Sequence, residues 1–366
     1  MGRRPSPARD LVNNPLKTPI RAEAAARLSC PNHFAGEAIG EYPHNGVICM
    51  PVNPGRISII RSGAVGDFVL TLPAVDTLRV AYPRSCLRLI GSPSILRLAP
   101  VNDIVDVNSA DVAGLYNPVG PVPERTRARF CDVDLLLAYA VDPDRSLQSR
   151  LAEIVNGTAI VYDPRPKGGV HVVEHLLTPL RRMGIPTSDP MPRIRLGADE
   201  LAHACKILKI RRLSSPLVAI HPGSGGREKC WPLTSYLKLA HRLVSRGAGV
   251  TAVCGPVEQD VVHVLQAHIP CLVPPDLRKL AALLHSADLF IGNDSGPGHI
   301  AAAVGTPTLT LFGPTDAETW APRHPLARIL KAPVGHLPSL SVESVLSAAR
   351  QLLAAVTSSP HDSRGP

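Results

Sequence analysis

The stretch FIGNDSGPGHIAAAVGTPTLTLFGPT, Phe290 to Thr315, reads as one strand–helix–strand unit. DLFIGND supplies a short apolar run, GHIAAAVG a helix, and PTLTLFG a second apolar run. Between the first strand and the helix stand Asn293, Asp294, Ser295, Gly296, Pro297, Gly298 and His299. A loop so rich in turn formers is either punctuation or a place where backbone approaches a ligand closely.

The same alternation extends outward in both directions. Upstream, PLVAIHPGSGG restarts it after a polar connector, followed by WPLTSYLKLAHRLVSRG (helix), VTAVCG (strand), EQDVVHVLQAH and LRKLAALLHSA (helices). Downstream, SVESVLSAARQLLAA is a last helix before a polar tail. In the first half, RISII is a buried strand, SGAVGD a turn and FVLTLPAVDTLRVAY one helix with apolar residues three and four apart. CLRLIG, DIVDV, VDLLLAY and TAIVYD read as strands, SPSILRLAP and SLQSRLAEIV as helices. HVVEHLLTPLRRMG closes this half, with Gly184 as its C-cap. Strands alternating with helices imply parallel sheets. The expected class is α/β, with two Rossmann-like doubly wound domains and ligands at the carboxyl ends of the strands.

The expected boundaries are a mostly disordered Pro-rich extension over 1–55 with one short helix at RAEAAARL, an N-terminal domain over 56–190, a linker over 191–215, a C-terminal domain over 216–350, and a helix end and polar tail over 351–366. Met50 lies six residues before the first strand, which raises the hypothesis that translation starts there; the intact mass of the natively expressed protein decides it.

A chain of 366 residues suits two ordinary domains, and 4% aromatic residues fit an aliphatic α/β protein better than a β-sandwich. The formal charge of +9 favours anionic partners such as nucleotides, phosphorylated sugars or a membrane surface. Basic residues are scattered without an aromatic-rich RNA-binding pattern, so no nucleic-acid partner is expected. The eight cysteines form no CxxC pair and read as free thiols of a reducing cytoplasm. No apolar run reaches transmembrane length and the N-terminus lacks a signal-peptide core, so a cytoplasmic protein is expected, with peripheral membrane contact left open.

Four loops of the second half come directly after predicted strands: HPGSGG (221–226), CGPVE (254–258), GNDSGPGH (292–299) and FGPT (312–315). In a parallel sheet all four open on one edge, where backbone N–H groups and the helix after Gly296 can face a phosphate. Lys229 adds a mobile positive charge there, or is a solvated lysine before Pro232. Glu258 is placed to accept from ribose hydroxyls, or is an acid in a first helical turn. His299 at a helix start is as readily structural as functional.

The loop SGAVGD resembles a dinucleotide loop, but Asp67 would repel a diphosphate. Asp67 is instead a candidate general base at a helix start, against the plainer reading of a helix-dipole carboxylate. CDVDL (131–135) has an Asp-x-Asp spacing that suits a divalent metal, although both acids also fit the approach to a strand. No metal and no cofactor is expected.

RISIIRSGAVGDFVLTLPAVDTLRVAYP, HPGSGGREKCWP, CGPVE and IGNDSGPGHIAAAVGTPTLTLFGPT together resemble glycosyltransferase family 9, the ADP-heptose:lipopolysaccharide heptosyltransferases, with weaker similarity through HVVEHLLTPLRRMGIP. The resemblance covers residues 56 to about 350. It implies the GT-B fold, two Rossmann-like domains facing a cleft, and an inverting, metal-independent transfer of heptose from ADP-heptose to a glycan or lipid-linked glycan, by family default the lipopolysaccharide core. It also implies that Asp67 is the base, within an acceptor-side loop holding Ser62, Gly63 and Gly66, and that Lys229 contacts donor phosphate and sugar. Ser224, Glu258, Asp294, Ser295, Gly296 and His299 then bind the donor, with Gly313 and Thr315 in the neighbouring loop. Such an acceptor lies at the cytoplasmic face of the inner membrane, where peripheral contact stays open. Another nucleotide-sugar transferase or epimerase, heptosyl transfer to a different acceptor, and a non-catalytic nucleotide-sugar binder are the alternatives.

Overall fold

Apolar runs that alternate between two faces of a strand require burial on both, and that demand organises the molecule. The computed structural model describes residues 53–358 apart from residues 118, 188, 256 and 257. The expectations for the extension, to residue 52, and for the tail beyond 358 lie outside the described residues.

The first half contains β1 (Arg56–Arg61), β2 (Cys86–Gly91), β3 (Asp103–Asp106), β4 (Leu135–Tyr139) and β5 (Thr158–Tyr162). They form a parallel sheet in the order β3-β2-β1-β4-β5. The second half contains β6 (Leu217–His221), β7 (Gly249–Val253), β8 (Cys271–Leu272), β9 (Leu289–Asn293), β10 (Thr308–Phe312) and β11 (Ala327–Lys331). Their order is β11-β10-β9-β6-β7-β8, again parallel throughout. Strand order reverses between β1 and β4 and between β6 and β9, the points at which open α/β sheets hold their ligands.

Alternate residues of the central strands serve different layers. Ile57 and Ile59 of β1 and Leu135 and Leu137 of β4 join a large apolar cluster, while Ile60, Leu136 and Ala138 face a smaller one. The large cluster continues into the second half through Leu217, Ala219, Phe290 and Ile300, so one apolar layer packs the two sheets together. Val218, Ile220, Leu289 and Ile291 face the remaining layer. Each fully buried aliphatic side chain stabilises such a layer by roughly 1.5–3 kcal/mol. Polar ties reinforce it: Arg278 reaches both carboxylate oxygens of Glu200 at 2.6 Å and the Arg195 carbonyl at 2.9 Å.

Some elements depart from the sequence reading, while the Asp-x-Asp pair follows its plainer one. The long helix expected after SGAVGD is broken into Val65–Val69 and Leu72–Ala81, because Pro73 supplies no N–H to continue the first helix. The strands β8 and β11 lacked a legible pattern: β8 has two residues, and β11 is a mostly exposed edge. Asp134 and Asp132 are both engaged in the fold. Asp134 Oδ2 accepts the N–H groups of Gly55 (2.7 Å) and Arg56 (2.8 Å), and Asp132 pairs with the Arg56 guanidinium. No helix among the described residues is long and apolar enough to cross a membrane.

The halves meet most closely where the helix Gly296–Ala303 abuts Val65 and Gly66. A Cβ on Gly296 would lie 2.8 Å from Val65 Cβ. Gly296→Ala is therefore expected to cost about 1–3 kcal/mol through overpacking. Urea denaturation measures it, and an unchanged midpoint would show that the two halves do not press together at this point.

Candidate active site

β1 ends in Arg61, a charged residue that the strand carries into the interior, where its side chain is only 6% exposed. Its guanidinium organises the turn that bears Asp67. Nε donates to Thr71 Oγ1 at 3.1 Å, and Nη2 lies 3.3 Å from Asp67 Oδ1. Thr71 Oγ1 in turn donates to the Asp67 carbonyl at 2.8 Å. Burial pulls the Arg61 pKa down, and the charge of Asp67 opposes that. Asp67 occupies the third position of its short helix, where Oδ2 accepts the N–H of Ala64 at 3.0 Å. Gly63 adopts φ +129°, and a Cβ there would sit 3.0 Å from the same Oδ2, so both conformation and space call for glycine. The Asp67 side chain remains 32% exposed, open to a ligand.

Across from it stand the loops after β6 and β9. Asn293, fully buried, staples them together. Its Oδ1 accepts from Trp231 N and Tyr236 Oη, both at 3.0 Å, and its Nδ2 donates to Pro222 O at 2.7 Å and Gly223 O at 3.3 Å. Ser224 Oγ adds a bond to the Asp294 carbonyl at 2.8 Å. Asn293 thus belongs to the scaffold of the cradle rather than to its surface. Asp294 is 11% exposed and lies 3.7 Å from Lys229 Nζ. Burial pushes its carboxyl pKa up, against the pull of the Lys229 charge and the Thr315 hydroxyl.

A cleft of about 430 Å³ joins the two sides. It is lined by Gly66 and Asp67 from the first half and by Ser224, Lys229, Asp294, Ser295, Gly296, His299 and Thr315 from the second. Sequence reasoning missed Leu70 and Trp320 on its wall; an apolar helix residue and one of two tryptophans gave no signal of their own. It also missed Arg61 and Thr71, whose side-chain contacts appear only after folding. Four expected residues stand outside the lining. Gly63 supports the Asp67 turn, and Ser62 precedes it, exposed. Gly313 packs under Leu337, where a Cβ would meet the side chain at 3.1 Å. Glu258 folds back on its own loop, accepting from Gly255 N at 2.6 Å with Oε1 3.6 Å from His221 Nε2. That carboxylate occupies the space a Cβ on Gly223 would need.

His299 is buried against Gly66, with a Cβ on that glycine falling 2.9 Å from its ring. Its Nδ1 finds no partner among the described residues. Burial pushes its pKa down to about 4; the Asp67 charge opposes this and His171 adds to it. The ring is therefore neutral at neutral pH.

Asn293→Ala leaves several buried groups unpaired and is expected to cost about 2–4 kcal/mol by urea denaturation. For His299, the folded chain binds fewer protons than the unfolded one between about pH 4 and the ordinary imidazole value near 6.5. Stability should then fall as pH drops through that window, by roughly 3 kcal/mol at most from this group. His299→Gln should make the loss shallower, leaving the part due to His171 and His324, whose pKa values burial also lowers. Thermal melts across the window check it; an equal slope in the variant counts against a neutral, buried His299.

Known proteins share this fold. Residues 160–349 match the family model described as glycosyltransferase family 9 (heptosyltransferase). The chain is 26% identical to lipopolysaccharide heptosyltransferase 3 of Escherichia coli strain K12 over 79% of its own length and 95% of that protein. Its fold superposes on a glycosyl transferase family 9 structure from Veillonella parvula with a TM-score of 0.70, at 21% identity, covering 84% of this chain and 99% of that one. E. coli heptosyltransferase WaaC, solved with ADP-2-deoxy-2-fluoro heptose, superposes with a TM-score of 0.59 at 18% identity, covering 81% and 99%. The two facing Rossmann-like halves are the GT-B fold, and the chain belongs to glycosyltransferase family 9.

Proposed function

We propose that this glycosyltransferase moves a heptose from ADP-heptose to a hydroxyl of a lipopolysaccharide core, with inversion and without a metal. The observation that carries the reading is one cleft with a carboxylate, Asp67, on the first half and an ammonium, Lys229, beside a helix N-terminus on the second. The relatives' names supply the sugar and the nucleotide.

In this reaction the acceptor oxygen attacks the anomeric carbon as its proton passes to Asp67. The bond from that carbon to the diphosphate breaks, and ADP leaves. The acceptor hydroxyl becomes more acidic as its oxygen bonds to carbon, so a carboxylate tied to Arg61 serves as the base. Lys229 and the N–H groups at the start of the Gly296–Ala303 helix stabilise the charge gathering on the diphosphate. Ser224, Ser295 and Thr315 offer hydroxyls, and neutral His299 an uncharged ring, on the donor side of the cleft. Glu258 binds the ribose after releasing Gly255. An acceptor of this kind places the protein at the cytoplasmic face of the inner membrane.

Calorimetric titration with ADP, UDP, GDP and NAD in EDTA tests the donor. Selective ADP binding supports the reading, preference for UDP points to another sugar donor, and binding of NAD alone overturns it. Asp67→Ala is expected to lower the transfer rate by about 10²–10⁴, with ADP affinity retained. Unchanged transfer removes Asp67 from the chemistry. Lys229→Ala is expected to weaken ADP binding by roughly tenfold, equivalent to one charge-assisted contact.

A further inference from the structure

The cleft contains one aromatic side chain that the proposed transfer chemistry does not use. The chain has two tryptophans. Trp231 is 1% exposed and donates its indole N–H to Leu340 O, sealed in the core. Trp320 is partly exposed on the cleft wall, sharing the lining with Asp67, Leu70 and His299.

The fold holds this residue from three directions. Asp316 starts its short helix, Ala317–Trp320, by accepting from Glu318 N at 3.1 Å and Thr319 Oγ1 at 2.5 Å. Immediately after the indole, the Ala321 carbonyl is bonded to His171 Nε2 of the other half at 2.9 Å. Two residues further on, Arg323 pairs with Glu174, also of the other half, at 2.5 Å. Phe312, Ala317 and Ala321 back the ring. It also packs on the apolar layer shared by both halves. A side chain with only two rotatable angles, backed by packing and anchored across both halves, is a rigid wall. Its flat apolar face beside an otherwise polar site suits the C–H face of a pyranose, as aromatic rings supply contact area at little entropic cost.

We infer that Trp320 is the platform on which a pyranose ring lies in the cleft, fixing the sugar's orientation relative to Asp67. This rests on the transferase reading. The ring belongs either to the donor heptose or to the acceptor sugar, and both present the same chemistry to the indole.

Tryptophan emission separates these cases, since Trp320→Phe leaves only Trp231 emitting and the difference from wild type is the Trp320 signal. Wild-type protein and Trp320→Phe are titrated with ADP, then ADP-heptose, then ADP plus a deacylated lipopolysaccharide core oligosaccharide. A change with ADP-heptose beyond that with ADP, absent in Trp320→Phe, assigns the donor sugar. A change only when the oligosaccharide is added assigns the acceptor. In either case Trp320→Ala should raise KM for that sugar about tenfold, with ADP affinity unchanged and Trp320→Phe recovering most of the loss. Silence of Trp320 to both sugars while calorimetry records ADP binding, or unchanged KM in both variants, overturns this inference alone. Failure to bind ADP at all overturns the transferase reading and the platform with it.

Discussion

Everything at this site depends on how closely two short helices approach. Gly66 lies under the His299 ring, and Gly296 lies against Val65, each without room for a Cβ. That contact brings the carboxylate of one half within the same cleft as the ammonium and helix terminus of the other. The apolar layer common to both sheets supplies the force that holds them there, and the glycines set how near they come. Larger residues at either place would hold the halves apart and separate Asp67 from the donor side.

The polar groups are positioned by the fold's own hydrogen bonds and ion pairs. Asn293 spends all its hydrogen-bonding capacity on the scaffold, so the β6 and β9 loops keep one shape. Lys229 is held by Asp294, and Asp67 by Arg61 and the Ala64 N–H. In the proposed reaction this preorganisation matters more than any single group, since charge developing on a diphosphate is best met by dipoles already in place. His299 obeys the same logic: buried and neutral, it fills the space against Gly66 without adding a charge beside Asp67.

Much of this was legible in advance. The alternation of apolar runs and amphipathic segments identified two parallel sheets, because burial on both faces leaves a strand no other composition. Gly- and Asp-bearing loops after those strands marked most of the residues that line the cleft. Residues that act through contacts distant in sequence were not visible. Asn293 looks like one more turn former, yet its partners are residues 222, 223, 231 and 236. Gly313 and Glu258 sit in loops of the right kind, but one packs under Leu337 and the other closes on its own backbone. The break at Pro73 was readable in principle, since the missing N–H is a local property, but the apolar spacing concealed it.

The sequence by itself determined the class of fold, the sheet edge on which the cleft-lining loops gather and the family, because periodicity and loop motifs are local and survive without knowledge of the partner surface. Only the tertiary structure decided which loop residues face the cleft and which support it. It alone placed Arg61 behind Asp67 and Trp320 on the wall between the halves. The physical reason is that burial and hydrogen-bond pairing are settled between segments up to 150 residues apart, as His171 and Ala321 are, and no local pattern records them.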